Sequence, residues 1–324
     1  YDFGRYTFVA DYLPYASGDG MEHRNSTSIT AGATIEQNGD RLLGTLAHEF
    51  FHSWNMERIR SKGIEPFHYD HPNMSGELWF GEGFTNYYEE LALHRSGIID
   101  FNQFLESLTS FVNTVVASPG RLMHSAVEMS RLAPYVDAAT SIDKTNRENT
   151  FISYYTYGAA LGVGIDLKIR AEFPGKSLDD WMRAMWKQHP DVQKPYTLAS
   201  LRAALASVTS TAFADDVFAK HIEGKDLMPY DALLAPAGLS LVPRMGRSTW
   251  LGGSFNALRG GMEITGPTLR GGPLYLAGID SGDVILSSDG VKTDSIEALN
   301  KMLDEHRPGD KITLAVETRA GRRD

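Results

Sequence analysis

The chain has 324 residues, 42 % of them hydrophobic, enough to build two or three packed units rather than one minimal domain. Lysine and arginine number 31 against 41 acidic residues, a formal charge of −10, and no basic run is interleaved with aromatics; nucleic acid and anionic membrane are therefore disfavoured as partners. Cysteine is absent, which excludes disulfides, thiolate ligands and a cysteine nucleophile, so any metal must be held by histidine and carboxylate.

No stretch approaches the roughly 20 apolar residues of a membrane span. The chain opens at Tyr1 inside what reads as a strand and without an initiating methionine. That start is expected of a processed or truncated piece, whose export signal would already be gone. Two β-like runs follow, Tyr6 to Leu13 and Met21 to Ile29, separated by Ser17-Gly-Asp-Gly, and they read as the last strands of a sheet.

From Asp40, a plausible N-cap, the period becomes helical: Leu42, Leu43, Leu46, Ala47, Phe50 and Phe51 recur on one side. A second helix is predicted from Trp79 to Arg95, stopped by Gly97. Further helices are predicted over Phe101 to Val116, Ser153 to Ala171, Ser177 to Lys187, Leu198 to Val208 and Ala212 to His221. Beyond Asp231 the composition shifts to Gly, Pro and short β runs at Leu239 to Val242, Met262 to Thr265, Asp283 to Leu286 and Ile312 to Glu317, interrupted by one helix near Ser295 to Glu305. The expected class is α+β, divided into a part carrying the metal motif (1–96), a helical region completing the site (97–235) and a small β-rich module (236–324).

The chemistry concentrates in His48-Glu49-Phe50-Phe51-His52. Two histidines at i and i+4 lie one turn apart on one helix face, so both imidazoles can reach a single ion. Glu49 is an acid on a helix that otherwise calls for burial, which a metal and its water would justify; the competing reading is a helix that merely carries these side chains. A catalytic zinc needs a third ligand and an open position. Glu82, within Trp79-Phe80-Gly81-Glu82-Gly83-Phe84, is the preferred third ligand, because an unpaired carboxylate among aromatics would be costly. Asn86, one turn on, is placed to hydrogen-bond a ligand histidine. His71 is the competitor, but Glu65-Pro-Phe-His-Tyr-Asp-His-Pro-Asn reads as a loop; the residue six past His52 is Arg58, not a histidine.

Leu46-Ala-His-Glu-Phe-Phe-His-Ser-Trp-Asn followed by Leu78-Trp-Phe-Gly-Glu-Gly-Phe-Thr-Asn-Tyr-Tyr resembles the glycyl aminopeptidase family of zinc peptidases, relatives of aminopeptidase N. The resemblance implies a thermolysin-like catalytic domain, one Zn²⁺ on His48, His52 and Glu82, and Glu49 as the base that activates water. It implies release of an N-terminal Gly or Ala from peptides with a free N-terminus, and a bacterial periplasmic or secreted location. Gly20-Met21-Glu22-His23 is similar to a substrate-binding strand element of those relatives, which would make Glu22 the ligand of the substrate's α-amino group. Ser153-Tyr154-Tyr155-Thr156-Tyr157-Gly158-Ala159 looks like their oxyanion-tyrosine segment, with Tyr155 the donor and Tyr154 the reserve. Leu276-Ala-Gly-Ile-Asp-Ser-Gly-Asp and Arg307-Pro-Gly-Asp-Lys-Ile resemble a PDZ domain, which would either take a peptide at a sheet edge, with Ser248 to Asn256 as a candidate loop, or only pack within the chain. A zinc endopeptidase and a PDZ-type peptide-binding protein with an inactive protease core are the rival functions.

Overall fold

The computed structural model describes residues 4–136, 146–242, 248–258, 260–318 and 321–323. The chain divides into two units, Tyr1–Thr140 with Ile152–Ser240, and Ser141–Phe151 with Leu241–Asp324.

The first unit begins with β1 (Thr7–Tyr12), β2 (Asp19–His23) and β3 (Ser26–Ala31), ordered β1-β3-β2 with β1 parallel and β2 antiparallel to β3. The run Met21 to Ile29, expected as one strand, is a hairpin turning at Arg24-Asn25. The alternation of β3 explains the pairing: Thr27 and Ile29 are buried while Ser28 faces out. Helix α1 (Ile35–Phe51) starts five residues before the expected cap, so Asp40 lies inside it; a non-helical Asn38 (φ −143°, ψ 35°) breaks its first turn.

Helices α2 (Leu78–Arg95), α3 (Phe101–Ala117) and α4 (Ala126–Val136) follow, the last not foreseen. After the helical turn α5 (Arg147–Thr150) come α6 (Tyr154–Glu172), α7 (Leu178–Gln188), α8 (Leu198–Val208), α9 (Thr211–Val217), a π turn (Phe218–Ile222) and α10 (Tyr230–Leu234). Helix α2 buries Trp79, Phe80 and Phe84 completely, and α6 buries Ala159, Ala160 and Ile165, so both are apolar on nearly every side, as a central helix must be. They touch through glycine. A Cβ on Gly158 would stand 1.9 Å from the Trp79 carbonyl oxygen, and one on Gly83 would stand 2.3 Å from the Gly158 Cα. Among the described residues no helix is long and apolar enough to cross a membrane.

The second unit is a sheet ordered β4 (Phe255–Leu258), β5 (Gly261–Ile264), β6 (Val284–Ser288), β8 (Leu314–Thr318), β9 (Gly321–Arg323), with the two-residue β7 (Val291–Lys292) paired to β6. Helices α11 (Pro273–Leu276) and α12 (Ile296–Glu305) accompany it; Ser295 caps α12 by accepting from the Ala298 N–H. Its core is Leu251, Met262, Ile264, Leu274, Ile285, Leu299 and Val316. Leu239 to Val242, expected as a strand, is irregular. Turn α5 joins this unit through Asn149, which donates to the Thr268 carbonyl (2.9 Å) and accepts from the Arg270 N–H (2.7 Å).

Candidate metal centre and peptide cleft

The α1 helix ends by delivering its two histidines to the interior, and its exit is fastened on both sides. Buried Arg58 donates to the carbonyls of Ser53 (2.7 Å) and Arg24 (2.9 Å) and to Asn25 Oδ1 (2.9 Å), tying the β2–β3 turn to the helix end. Asn55 donates to the carbonyls of Phe80 (3.0 Å) and Gly81 (2.9 Å), fixing α1 against the first turn of α2, which carries Glu82.

Three donor atoms converge between these helices. His48 Nε2 and His52 Nε2 are 2.9 Å apart, and Glu82 Oε2 lies 3.4 Å from the first and 3.0 Å from the second. Donors on one face of a tetrahedral zinc site, with bonds near 2.0–2.1 Å, stand roughly 3.3 Å apart. Glu82 Oε2 is fully enclosed and, despite its closeness to the rings, is not aligned for a hydrogen bond with either. An enclosed carboxylate oxygen without a hydrogen bond fits a metal ligand, since it would otherwise be costly to bury. His48, His52 and Glu82 thus fit a zinc ion by spacing and by donor type.

Each ring is oriented from behind, as a ligand imidazole requires. His48 Nδ1 lies 3.3 Å from Glu89 Oε2, and His52 Nδ1 lies 2.8 Å from the Asn55 carbonyl. Asn86, expected in this role, bonds neither histidine. The reason is helical geometry: seven residues make nearly two whole turns, so Glu89 returns to the Glu82 face more closely than Asn86 does. Glu89 and Asn55 went unrecognised in the sequence; the i+7 spacing from Glu82 was the signal for the first.

Electrostatics follow from enclosure. Burial opposes charge on His48, but the close carboxylates of Glu82 and Glu89 outweigh it and hold the ring's pKa at about 10. Burial would likewise raise Glu82; the facing imidazoles reverse the direction and hold it well below the carboxylate range. For Glu49 burial prevails, offset in part by His52 and His48, and its carboxyl is pushed up to about 7. Its Oε2 is enclosed without a hydrogen bond.

Strand β2 supplies the other wall. Glu22, Glu49 and His52 each bring a ligand-type atom within 4.8 Å of the others. Gly20, two residues back on the same face, lies against Glu49: a Cβ there would stand 2.1 Å from Glu49 Oε1. Met21 turns its side chain to the opposite face, where it is 55 % exposed. From α6 the Tyr155 ring stacks on His48 with centroids 6.1 Å apart, while Tyr154 is buried behind it, 5.0 Å from Tyr155. His71 is not among these donors; it pairs with Asp70 at 2.8 Å in an exposed loop.

Residues 41–161 match the family model described as M61 glycyl aminopeptidase. No curated protein matches the chain. Among solved structures, an aminopeptidase N family protein from Idiomarina loihiensis is similar at 24 % identity with a TM-score of 0.81, covering 99 % of this chain and 58 % of that one. The chain therefore spans little more than half the length of that protein, and the likeness is one of fold. An M1 zinc metallopeptidase from Deinococcus radiodurans, bound to a Tyr-Ser-Ala substrate, is similar over 69 % of this chain and 40 % of its own, at 17 % identity and a TM-score of 0.44. The stretch that carries His48, Glu49, His52 and Glu82 thus matches the glycyl aminopeptidase family, in agreement with the resemblance of its motifs.

Proposed function

We propose that the chain is a zinc-dependent aminopeptidase with a thermolysin-like catalytic part, releasing an N-terminal glycine or alanine from peptides. The observation that supports this best is the convergence of His48, His52 and Glu82 donors at 2.9–3.4 Å beside the buried carboxyl of Glu49. Zinc held there would lower the pKa of a water toward about 7 and polarise the scissile carbonyl. Glu49 takes the proton of the attacking water and passes it to the leaving amine. Tyr155, beside His48, donates to the oxyanion. Glu22 holds the substrate's ammonium, which makes cleavage start at a free N-terminus.

For the second unit, the PDZ-like reading is supported by its five-stranded path, its two helices and the open edge of β4, where an extended peptide could add.

Zinc content and hydrolysis of glycine p-nitroanilide test the catalytic reading. Stoichiometric zinc is expected, lost in Glu82→Ala and kept in Glu49→Gln, which has no turnover. Acetylating the substrate's amine stops an aminopeptidase. Equal cleavage of the acetylated compound would make the protein an endopeptidase.

A further inference from the structure

A cavity lies beside Glu49. It encloses about 510 Å³ between β2, β3 and the first turns of α1, and its lining includes Gly18, Gly20, Asn38, Arg41 and Thr45. It lies wholly within the first unit. Its position relative to the chemistry is fixed by two periodicities. Along β2, Glu22 and Gly20 share a face about 7 Å apart, with Glu49 seated against Gly20, so the strand runs from Glu22 past the base and into the cavity at Gly18. Along α1, Arg41, Thr45 and Glu49 recur at i, i+4 and i+8 on one face, which puts Arg41 about 12 Å beyond the base.

A peptide whose ammonium sits on Glu22 and whose first peptide bond sits at Glu49 therefore sends its remaining residues into this cavity. Two extended residues span about 7 Å, which, with the reach of an arginine side chain, brings a C-terminal carboxylate to Arg41. Arg41 has no ion-pair partner among the described residues. The cavity's acid, Asp19, turns its carboxylate back to accept from the Gly20 N–H at 3.1 Å.

We propose that Arg41 is a specificity residue that binds the free C-terminal carboxylate of short peptides, so that tripeptides are the preferred substrates. This rests on the aminopeptidase reading and adds to it a length preference set by charge. A guanidinium suits the task because it is always charged and meets a carboxylate through two parallel N–H donors.

The test compares Gly-Ala-Ala with its C-terminal amide on the zinc-loaded enzyme. KM is expected to be about tenfold lower for the free acid with kcat alike, the size of a partly exposed charge-assisted bond. Arg41→Gln should raise KM for the acid to the level of the amide and leave the amide unchanged, and Arg41→Lys should recover part of the difference. Equal KM values for acid and amide in the wild type, or a difference that survives Arg41→Gln, would overturn the proposal while leaving the aminopeptidase reading standing. Failure to cleave either peptide would remove that reading and this proposal with it.

Discussion

His48 is held by Glu89 on the side away from the donors, and this contact fixes the direction in which its Nε2 points. Replacing Glu89 with alanine is expected to weaken zinc binding roughly 10- to 100-fold, with turnover recovering in excess zinc. Competition with a chromogenic chelator measures it; unchanged affinity would make Glu89 a bystander. If Tyr155 is the oxyanion donor proposed above, Tyr155→Phe should leave zinc in place and lower kcat by roughly 10²- to 10³-fold. A loss confined to Tyr154→Phe would move the donor by one residue. The pairing of His48 with His52 was legible because an i, i+4 spacing itself sets both rings on one helix face, and the enclosure of Glu82 because a carboxylate stands among aromatics. Glu89 was passed over for Asn86, although its i+7 spacing returns it to the Glu82 face more closely than an i+4 spacing does.

The contact between α2 and α6 is a matter of backbone approaching backbone. Because a Cβ on Gly158 would stand 1.9 Å from the Trp79 carbonyl oxygen, Gly158→Ala must push the helices apart. Overpacking of this kind costs about 1–3 kcal/mol, and each kcal/mol lowers Tm by about 2–4 °C in a domain of this size. Glu82 and Tyr155 flank the contact on the two helices, so the same substitution should lower kcat along with Tm. A thermal melt with a parallel rate assay checks both, and an unshifted Tm would show that the crossing yields freely. Helix spans were readable from apolar spacing, as at Leu198–Val208. The β2–β3 hairpin was not, because Arg24-Asn25 carries none of the glycine that marks such turns. Edge strand β4 escaped for a related reason: its side chains are half-buried or exposed and give no alternation.

Across the first unit, buried tyrosines set an alkaline limit. Tyr87 donates to Asp166 at 2.8 Å and Tyr88 to Asp179 at 3.0 Å, and Tyr196 is fully enclosed. Burial first, then the neighbouring acids, raise all three well above the ordinary value of 10. An acid whose pKa is higher folded than unfolded contributes stability that is intact below pH 10 and is lost as pH climbs toward the folded value, since only the unfolded chain gains by releasing the proton. Circular dichroism and tyrosinate absorbance followed together should therefore show part of the tyrosinate signal delayed until the helices melt. Complete ionisation ahead of the melt would contradict it.

The enclosed Oε2 of Glu49 has an adverse side as well. A carboxylate kept dry and without a hydrogen bond is ready to accept a proton, and for the same reason it is a liability to the metal-free fold. Stability and activity then pull against each other at one atom. In the presence of chelator at pH 8, Glu49→Gln should melt a few degrees higher than the wild type, so that the variant expected to have no turnover is the sturdier protein.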